Sequence, residues 1–293
     1  MHFIKSKTIL GKNNNINLYR GCSFGCIYCD ARSSCYHVDN FEDIGVKENA
    51  IKILDKELAS KKVPVLITTG AMSDPYCKLE ETLGVTRKML ELFIKYRCGV
   101  MFLTKSTLAL RDLDLYKKIN EQAKVLASFT ITCFDDALRE KIEPYSSSTK
   151  DRFMALKKFH EAGIETCIWL CPILPFITDT IENISNIVDK CYEVGVTNII
   201  LWDFGTTMRE GSRDYFYKNL DKYFPGYKKM YQDTYKNSYV CPSLKNDELM
   251  KVFKDKCHKY GIKYDINQIY KMQEQEMQKN LEKTDFNLFN IDK

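Results

Sequence analysis

The sequence predicts an α/β fold: six strand–helix units curled into an open, partial barrel, followed by a helical extension. Two observations carry this expectation. Six short apolar runs recur through the first two thirds of the 293 residues, separated by stretches with helical periodicity. After Gly205 that rhythm stops, which divides the chain into a barrel at 1–205 and an extension at 206–293.

The first residues, through Asn15, are polar and read as irregular. Residues 16–19 form a short first strand. Residues 46–60 place Val46, Ala50, Ile53, Leu54 and Leu58 on one helical stripe. The second strand is 63–70 (VPVLITTG), a buried run ending in glycine. A helix over 82–96 turns Met89, Leu90, Phe93 and Ile94 to the core. The third strand is 99–106, a helix covers 113–122, and the fourth strand is 124–132, with Asp135 capping a short helix after it. A helix over 149–162 stops at Gly163, the fifth strand spans 165–173 and carries Pro172, a helix over 179–194 stops at Gly195, and the sixth strand is 198–204. Right-handed crossovers curl such units into a partial barrel. A flat doubly wound sheet is the competing fold, weakened because no Gly-x-Gly-x-x-Gly follows any strand. In the extension, helices are expected over 212–224, 227–235, 247–260 and from 267, with a polar end that frays from about Lys283.

Composition narrows the function classes. No stretch is apolar and long enough to cross a membrane, and the first ten residues lack a signal-peptide apolar core. Twelve cysteines without an export signal point to a reducing, cytoplasmic compartment rather than a disulfide framework. A net charge of +5 permits an anionic partner without requiring one.

The chemistry concentrates in residues 21–29, GCSFGCIYC. Cys22, Cys26 and Cys29 form a C-x3-C-x2-C run, and three thiolates on one loop can hold three corners of an iron–sulfur cluster. A [4Fe–4S] cube then keeps one iron without a protein ligand, and an open metal position marks a reaction site. Gly21 and Gly25 give the loop room to wrap a cluster. The competing metal is zinc, with Cys35 or His37 as fourth ligand; a third reading is three buried free thiols. Polar groups also stand at the other strand ends: Ser73-Asp74 after the second, Lys105 at the end of the third, Ser128, Thr130 and Thr132 on one face of the fourth, Cys171 in the fifth and Trp202-Asp203 in the sixth. Polar groups inside apolar strands need a partner, and a zwitterionic ligand would provide one.

The segments LYRGCSFGCIYCDARS, TTGAMSDPY, TKSTLALRD, SFTIT, KIEPYSSSTKDRFMAL and AGIETCIWLCPILP resemble the DNA-repair-photolyase-like branch of radical S-adenosylmethionine (SAM) enzymes, a branch that includes spore photoproduct lyase. The likeness covers about residues 16–204. It implies a partial (β/α)6 barrel, one [4Fe–4S] cluster, SAM, and an electron donor of the flavodoxin or ferredoxin type. It also implies reductive SAM cleavage and hydrogen abstraction by a 5′-deoxyadenosyl radical. Carried over by residue, it makes Cys22, Cys26 and Cys29 the cluster ligands and lays Tyr28 along the adenine of SAM. Ser73 and Asp74 would meet the SAM amine, although S-D-P-Y is equally good turn chemistry. Lys105 and Ser128, with Thr130 beside them, would hold the SAM carboxylate. Glu143 and Arg152 read better as a structural ion pair.

One position departs from the branch. Spore photoproduct lyase carries a hydrogen-donating cysteine two residues before the serine–aspartate pair, and here that residue is Ala71. Cys77 and Cys171 are the expected replacement donors, with Cys133, Cys35 and Cys241 as further options and Tyr76 and Tyr28 as hydrogen relays. Nucleic-acid repair or modification is one expected function. A peptide, small metabolite or partner-protein substrate is the second, and a non-catalytic metal-binding interaction protein the third. The extension interleaves cations and aromatics, among them Arg209, Arg213, Tyr215, Tyr217, Tyr231 and Tyr235, which can stack bases and meet phosphates. Amphipathic helices closing the barrel explain the same pattern more simply.

Overall fold

The computed structural model describes residues 1–290, with side chains described through position 283. Six parallel strands form one sheet: β1 (Asn15–Ile16), β2 (Leu66–Thr69), β3 (Gly99–Thr104), β4 (Val125–Thr130), β5 (Glu165–Trp169) and β6 (Asn198–Ile200). Their spatial order is their chain order, with no reversal. A doubly wound sheet must reverse at a switch point, so the flat alternative is excluded. Among the described residues β6 does not pair back to β1, and the barrel is open.

The helices α1 (Ala50–Ala59), α2 (Val85–Lys95), α3 (Leu113–Gln122), α4 (Thr149–Glu161) and α5 (Ile181–Glu193) cover the outside. Sequence sets their ends. Ser148 Oγ accepts from Asp151 N at the start of α4, and Thr180 Oγ1 does the same for Asn183 N in α5. Asp135 caps the short helix Asp136–Ile142 as expected, accepting from Leu138 N. Along β4 every residue is buried, because Val125, Ala127 and Phe129 face the helices while Leu126, Ser128 and Thr130 face inward.

Several boundaries move. His2–Ile4, Gly45–Lys47 and Tyr19–Arg20 form a small separate sheet, so the expected irregular start contains a strand. The helix expected from 46 begins at Ala50, because Val46 pairs with Phe3 and Tyr19 instead. The helix expected over 82–96 breaks at Gly84, which takes a left-handed conformation.

The extension holds α6 (Ser212–Tyr223), α7 (Tyr227–Tyr235), α8 (Asn246–Tyr260) and α9 (Ile266–Asn290); positions 291–293 of the expected frayed end lie outside the described residues. It also holds a hairpin, Gly205–Thr207 against Val240–Pro242, which the periodicity did not reveal. Phe216, Leu220 and Tyr231 pack with Phe24, Ile27 and Tyr28 of the cysteine loop. Helix α8 lies on α5, where Tyr260 stacks on Tyr192 and Lys256 pairs with Asp189 at 2.7 Å. Helix α9 plugs the N-terminal end of the barrel: Ile269 joins the inward Met101, Leu126, Cys167 and Ile200, and Gln273 donates to Glu165.

Candidate active site

The three cysteines lie on the loop after β1. Gly21 (φ +86°) lets this loop pass the 38–42 segment: a Cβ there would stand 2.4 Å from the Phe41 carbonyl oxygen, which accepts from Cys22 N at 3.1 Å. Gly25 is also left-handed, at φ +66°. The other end is anchored by Ile27 N donating to Ile142 O. Cys26 is buried, and Cys22 and Cys29 are half-buried. Burial pushes the Cys22 thiol up to about 12 and raises Cys26 and Cys29 as well, and Cys22 and Cys26 are raised further by the neighbouring thiols of the run. Lys105 pulls Cys26 and Cys29 back down. Desolvated thiols such as these become thiolates when a cationic metal group binds among them.

Among the described residues, no three His, Cys, Asp or Glu side chains gather round one ion-sized point. Cys35, the expected fourth zinc ligand, is exposed, with its sulfur 3.5 Å from Arg209 Nη1. A cluster has a different requirement from a single ion, since each thiolate takes its own iron and the sulfurs stand apart. Three cysteine thiols on one loop, with Cys35 turned to Arg209, are a donor set that fits a cluster.

A cavity of about 640 Å³ opens at the C-terminal ends of the strands, beside this loop. Tyr28, Cys29 and Asp30 line it on one side, and Gly70, Ala71 and Met72 after β2 continue the wall. Lys105, Thr130, Trp169 and Cys171 contribute from β3, β4 and β5, and Trp202 and Asp203 follow β6. The hairpin of the extension closes the far side with Thr206, Thr207, Val240 and Pro242.

A family model for the radical SAM superfamily matches residues 16–191, well over half of the chain. The chain belongs to the radical SAM superfamily. Its relatives include an uncharacterized protein of Methanocaldococcus jannaschii, 35% identical over 179 residues, which are 60% of this chain and 66% of that protein. An uncharacterized protein of Mycobacterium tuberculosis is 26% identical over 238 residues, 78% of this chain and 69% of its own length. The chain thus spans about two thirds of the length of these curated relatives. A radical SAM Nα-GlyT isomerase of Pseudomonas phage M6 is 21% identical over 180 residues, 61% of this chain and 37% of that enzyme. Among solved structures, a spore photoproduct lyase double mutant with bound AdoMet and dinucleoside spore photoproduct has a TM-score of 0.64 at 15% identity, covering 90% of this chain and 80% of that one.

Radical SAM enzymes use a [4Fe–4S] cluster and SAM, and SAM-dependent radical chemistry follows from membership. The thiols of Cys22, Cys26 and Cys29 stand together on the loop after β1 as the candidate donors for such a cluster. The Lys105 side chain faces the cavity with its Nζ 5.8 Å from the Tyr28 ring centroid, and the ammonium makes no hydrogen bond or ion pair among the described residues. Burial alone lowers its pKa, but Cys26, Glu143 and Asp74 outweigh burial, so the ammonium stays charged. Thr130 lines the same cavity.

Other expected contacts are arranged differently. Ser128 faces a smaller inner cavity of about 80 Å³, a layer below Lys105, shared with Asn17, Met101 and Tyr270. The expected pairing of Lys105 with Ser128 is not formed within one cavity; Thr130, two residues further along β4, takes that place. Ser73 and Asp74 do not line the mouth. Ser73 Oγ donates to Tyr19 O, and Asp74 accepts from Tyr76 N, Thr104 Oγ1 and Lys105 N. Ser73 ties the β2 loop to the Tyr19–Arg20 strand and Asp74 ties it to β3, the turn role that S-D-P-Y also allowed. Burial raises the Asp74 pKa, and its hydrogen bonds from Thr104, Tyr76 and Lys105 oppose that rise.

Tyr28 lines the cavity with its ring, and its hydroxyl donates to Glu143. Glu143 and Arg152 are the expected ion pair, with side chains 1% and 0% exposed. Arg152 also donates to Thr130 O and Ser147 O. Burial raises the Glu143 pKa, yet the Arg152 and Lys105 charges hold it below the ordinary value.

Of the two expected hydrogen donors, only Cys171 lines the cavity, half-buried; Cys77 is fully buried in the main apolar core. Burial pushes the Cys171 thiol up to about 12 against the pull of Lys105, so it keeps its hydrogen at neutral pH. Tyr76 is also remote, its hydroxyl held by Asp112 and Tyr116 in the core. Cys133 and Cys241 are buried outside the cavity lining. The extension's aromatics are largely structural: Tyr231 and Tyr235 donate to Pro175 O and Pro242 O, and Tyr215 lies under Arg32. Trp169 and the hairpin wall were not among the residues singled out from sequence.

Proposed function

We propose that the mouth cavity seats SAM against the cysteine loop and a substrate against the β5–β6 side. A hydrogen atom is then abstracted from a substrate carbon in nucleic-acid repair or modification. The observation that carries this reading is one cavity lined both by the cysteine loop and by the β3–β6 ends, with the Lys105 ammonium facing it. A bound cluster and SAM would supply the one-electron radical chemistry, given an electron from a low-potential flavodoxin- or ferredoxin-type donor. Lys105 binds the SAM carboxylate, and Thr130 adds a hydroxyl beside it. Asp74 holds the β2 loop and the Lys105 backbone in place. The tryptophan and hairpin walls bound the side of the cavity that takes the reacting carbon.

Cys171 gives its S–H hydrogen atom to the substrate radical, the role Ala71 does not fill. The thiyl left behind is restored by one electron from the same donor and one proton from water. A gel-shift titration with single-stranded DNA tests the substrate class. Binding that weakens steeply between about 50 and 200 mM salt supports phosphate contacts, and absent binding contradicts the nucleic-acid reading.

A further inference from the structure

Both tryptophans of the chain line the mouth, on the side away from the cysteine loop. Trp169 at the end of β5 and Trp202 after β6 meet edge to face, with ring centroids 5.3 Å apart and planes at 68°. This contact fixes Trp202 from one side only; it remains 58% exposed, and Tyr239 and Val240 on the hairpin opposite are 43% and 54% exposed. Three large, exposed side chains on the rim of one cavity leave a slot with apolar walls, which water solvates poorly. A rigid indole held at its edge offers a flat face for stacking.

The charges beside the slot limit what enters. The charged residues of the cavity lining are Asp30, Lys105 and Asp203. Arg209 stands 3.6 Å from Asp30 and compensates it. Lys105 lies on the cysteine-loop side, within 5.8 Å of the Tyr28 ring centroid. Asp203, next to Trp202, has only Asn246 Nδ2 at 3.5 Å and no ion pair among the described residues. Among the described residues the outer half therefore presents one exposed carboxylate without an ion pair, and the cation on the Tyr239 wall, Arg209, is already held by Asp30 and by the Tyr239 hydroxyl, to which its Nη2 donates at 2.7 Å. A phosphate there would face Asp203 without a counter-charge. An N–H donor would instead satisfy it with a charge-assisted bond.

We propose that the outer half of the mouth binds a planar heteroaromatic ring, neutral or cationic, stacked on Trp202 with an N–H edge toward Asp203 and any phosphate left outside. The inference rests on the substrate side proposed above and names the part of the substrate that enters it. It places a nucleobase-like ring, rather than a sugar–phosphate, in the reaction chamber.

The test is calorimetry on anaerobic, cluster-loaded protein, first with SAM and then with guanosine added to the SAM complex. Guanosine presents a flat ring with an N–H and NH2 edge. The expected result is guanosine binding that its 5′-monophosphate does not improve. Trp202→Ala should weaken it about fivefold or more, as loss of a base–aromatic stack does. Asp203→Asn should weaken it about tenfold, from loss of a charged acceptor. SAM affinity should stay unchanged in both variants. Wild-type protein that binds SAM but not guanosine overturns this inference and leaves the SAM site standing. Tighter binding of the 5′-monophosphate overturns it too. Loss of SAM affinity in Trp202→Ala with guanosine binding intact would assign the tryptophan slot to the SAM adenine, again against the inference. Failure of the wild type to bind SAM would defeat the proposed function itself and the inference with it.

Discussion

Replacing Arg152 by Met removes a cation whose side chain is 0% exposed and leaves the Glu143 carboxylate, 1% exposed, without its guanidinium. The Thr130 and Ser147 carbonyls lose a donor as well. Breaking one side of a buried pair costs about 3–5 kcal/mol, because the remaining charge stays desolvated. With an unfolding entropy of about 2.1 cal/mol/K per residue, a chain of 293 residues carries about 0.6 kcal/mol/K, so the apparent Tm should fall by roughly 5–8 °C. The sign with pH is defined. The folded pKa of Glu143 lies below its ordinary value: burial raises it, but Arg152 and Lys105 more than reverse that. The pair's contribution is therefore fully present above the unfolded carboxylate range, about 4.3, and is lost as pH falls through the lower folded value. The Tm gap between wild type and Arg152→Met should be widest near neutrality and shrink on acidification. Melting followed by circular dichroism at matched scan rates measures it. A gap under about 2 °C at pH 7, or one that widens in acid, would refute the assignment of this pair as a stabilising charge anchor.

Three further outcomes follow from the site. Lys105→Met keeps the bulk and removes the ammonium, so SAM affinity by calorimetry should drop about tenfold or more, the worth of a hydrogen bond to a charged group; unchanged affinity would place the carboxylate elsewhere. Gly21→Ala puts a Cβ 2.4 Å from the Phe41 oxygen in a left-handed backbone, so iron retained after anaerobic reconstitution should fall well below wild type. Cys171→Ala should leave SAM cleavage without substrate intact but abolish hydrogen return to the substrate radical, read as loss of the hydrogen-quenched product; Cys77→Ala, in the core, should lower Tm and leave the product pattern alone.

The barrel was legible because parallel strands buried on both faces are written as apolar runs, and Gly163 and Gly195 mark the left-handed helix exits before two of them. Strand ends were overread. Residues 170–173 continue the apolar run of β5 but leave the ladder and become loop at the cavity. The hairpin at Gly205–Thr207 escaped because strands of three residues, joined across two helices, show no alternation to read. Among site residues, Cys22, Cys26 and Cys29 were read from spacing alone, and what the structure adds is their shared loop after β1 and their burial. Ser73, Asp74 and Ser128 show the limit. Spacing gives the strand end a residue occupies but not whether its side chain reaches the mouth, one layer below, or a neighbouring strand. Cys77 and Cys171 differ only in burial, which is a property of packing. Trp169 had a usable signal in a rare residue type at the end of β5, one strand from Trp202 after β6, and pairing the two by strand order would have found the slot.

The central claim is that three thiols hold a cluster with an iron open to SAM. The most direct measurement is iron content and 5′-deoxyadenosine formation in the same anaerobically reconstituted, dithionite-reduced sample, for wild type and for Cys22→Ala, Cys26→Ala, Cys29→Ala and Cys35→Ala. About four irons per chain, 5′-deoxyadenosine from the wild type and from Cys35→Ala, and none from the other three variants are predicted. Stoichiometric zinc in place of iron, or loss of the metal in Cys35→Ala, would contradict the claim.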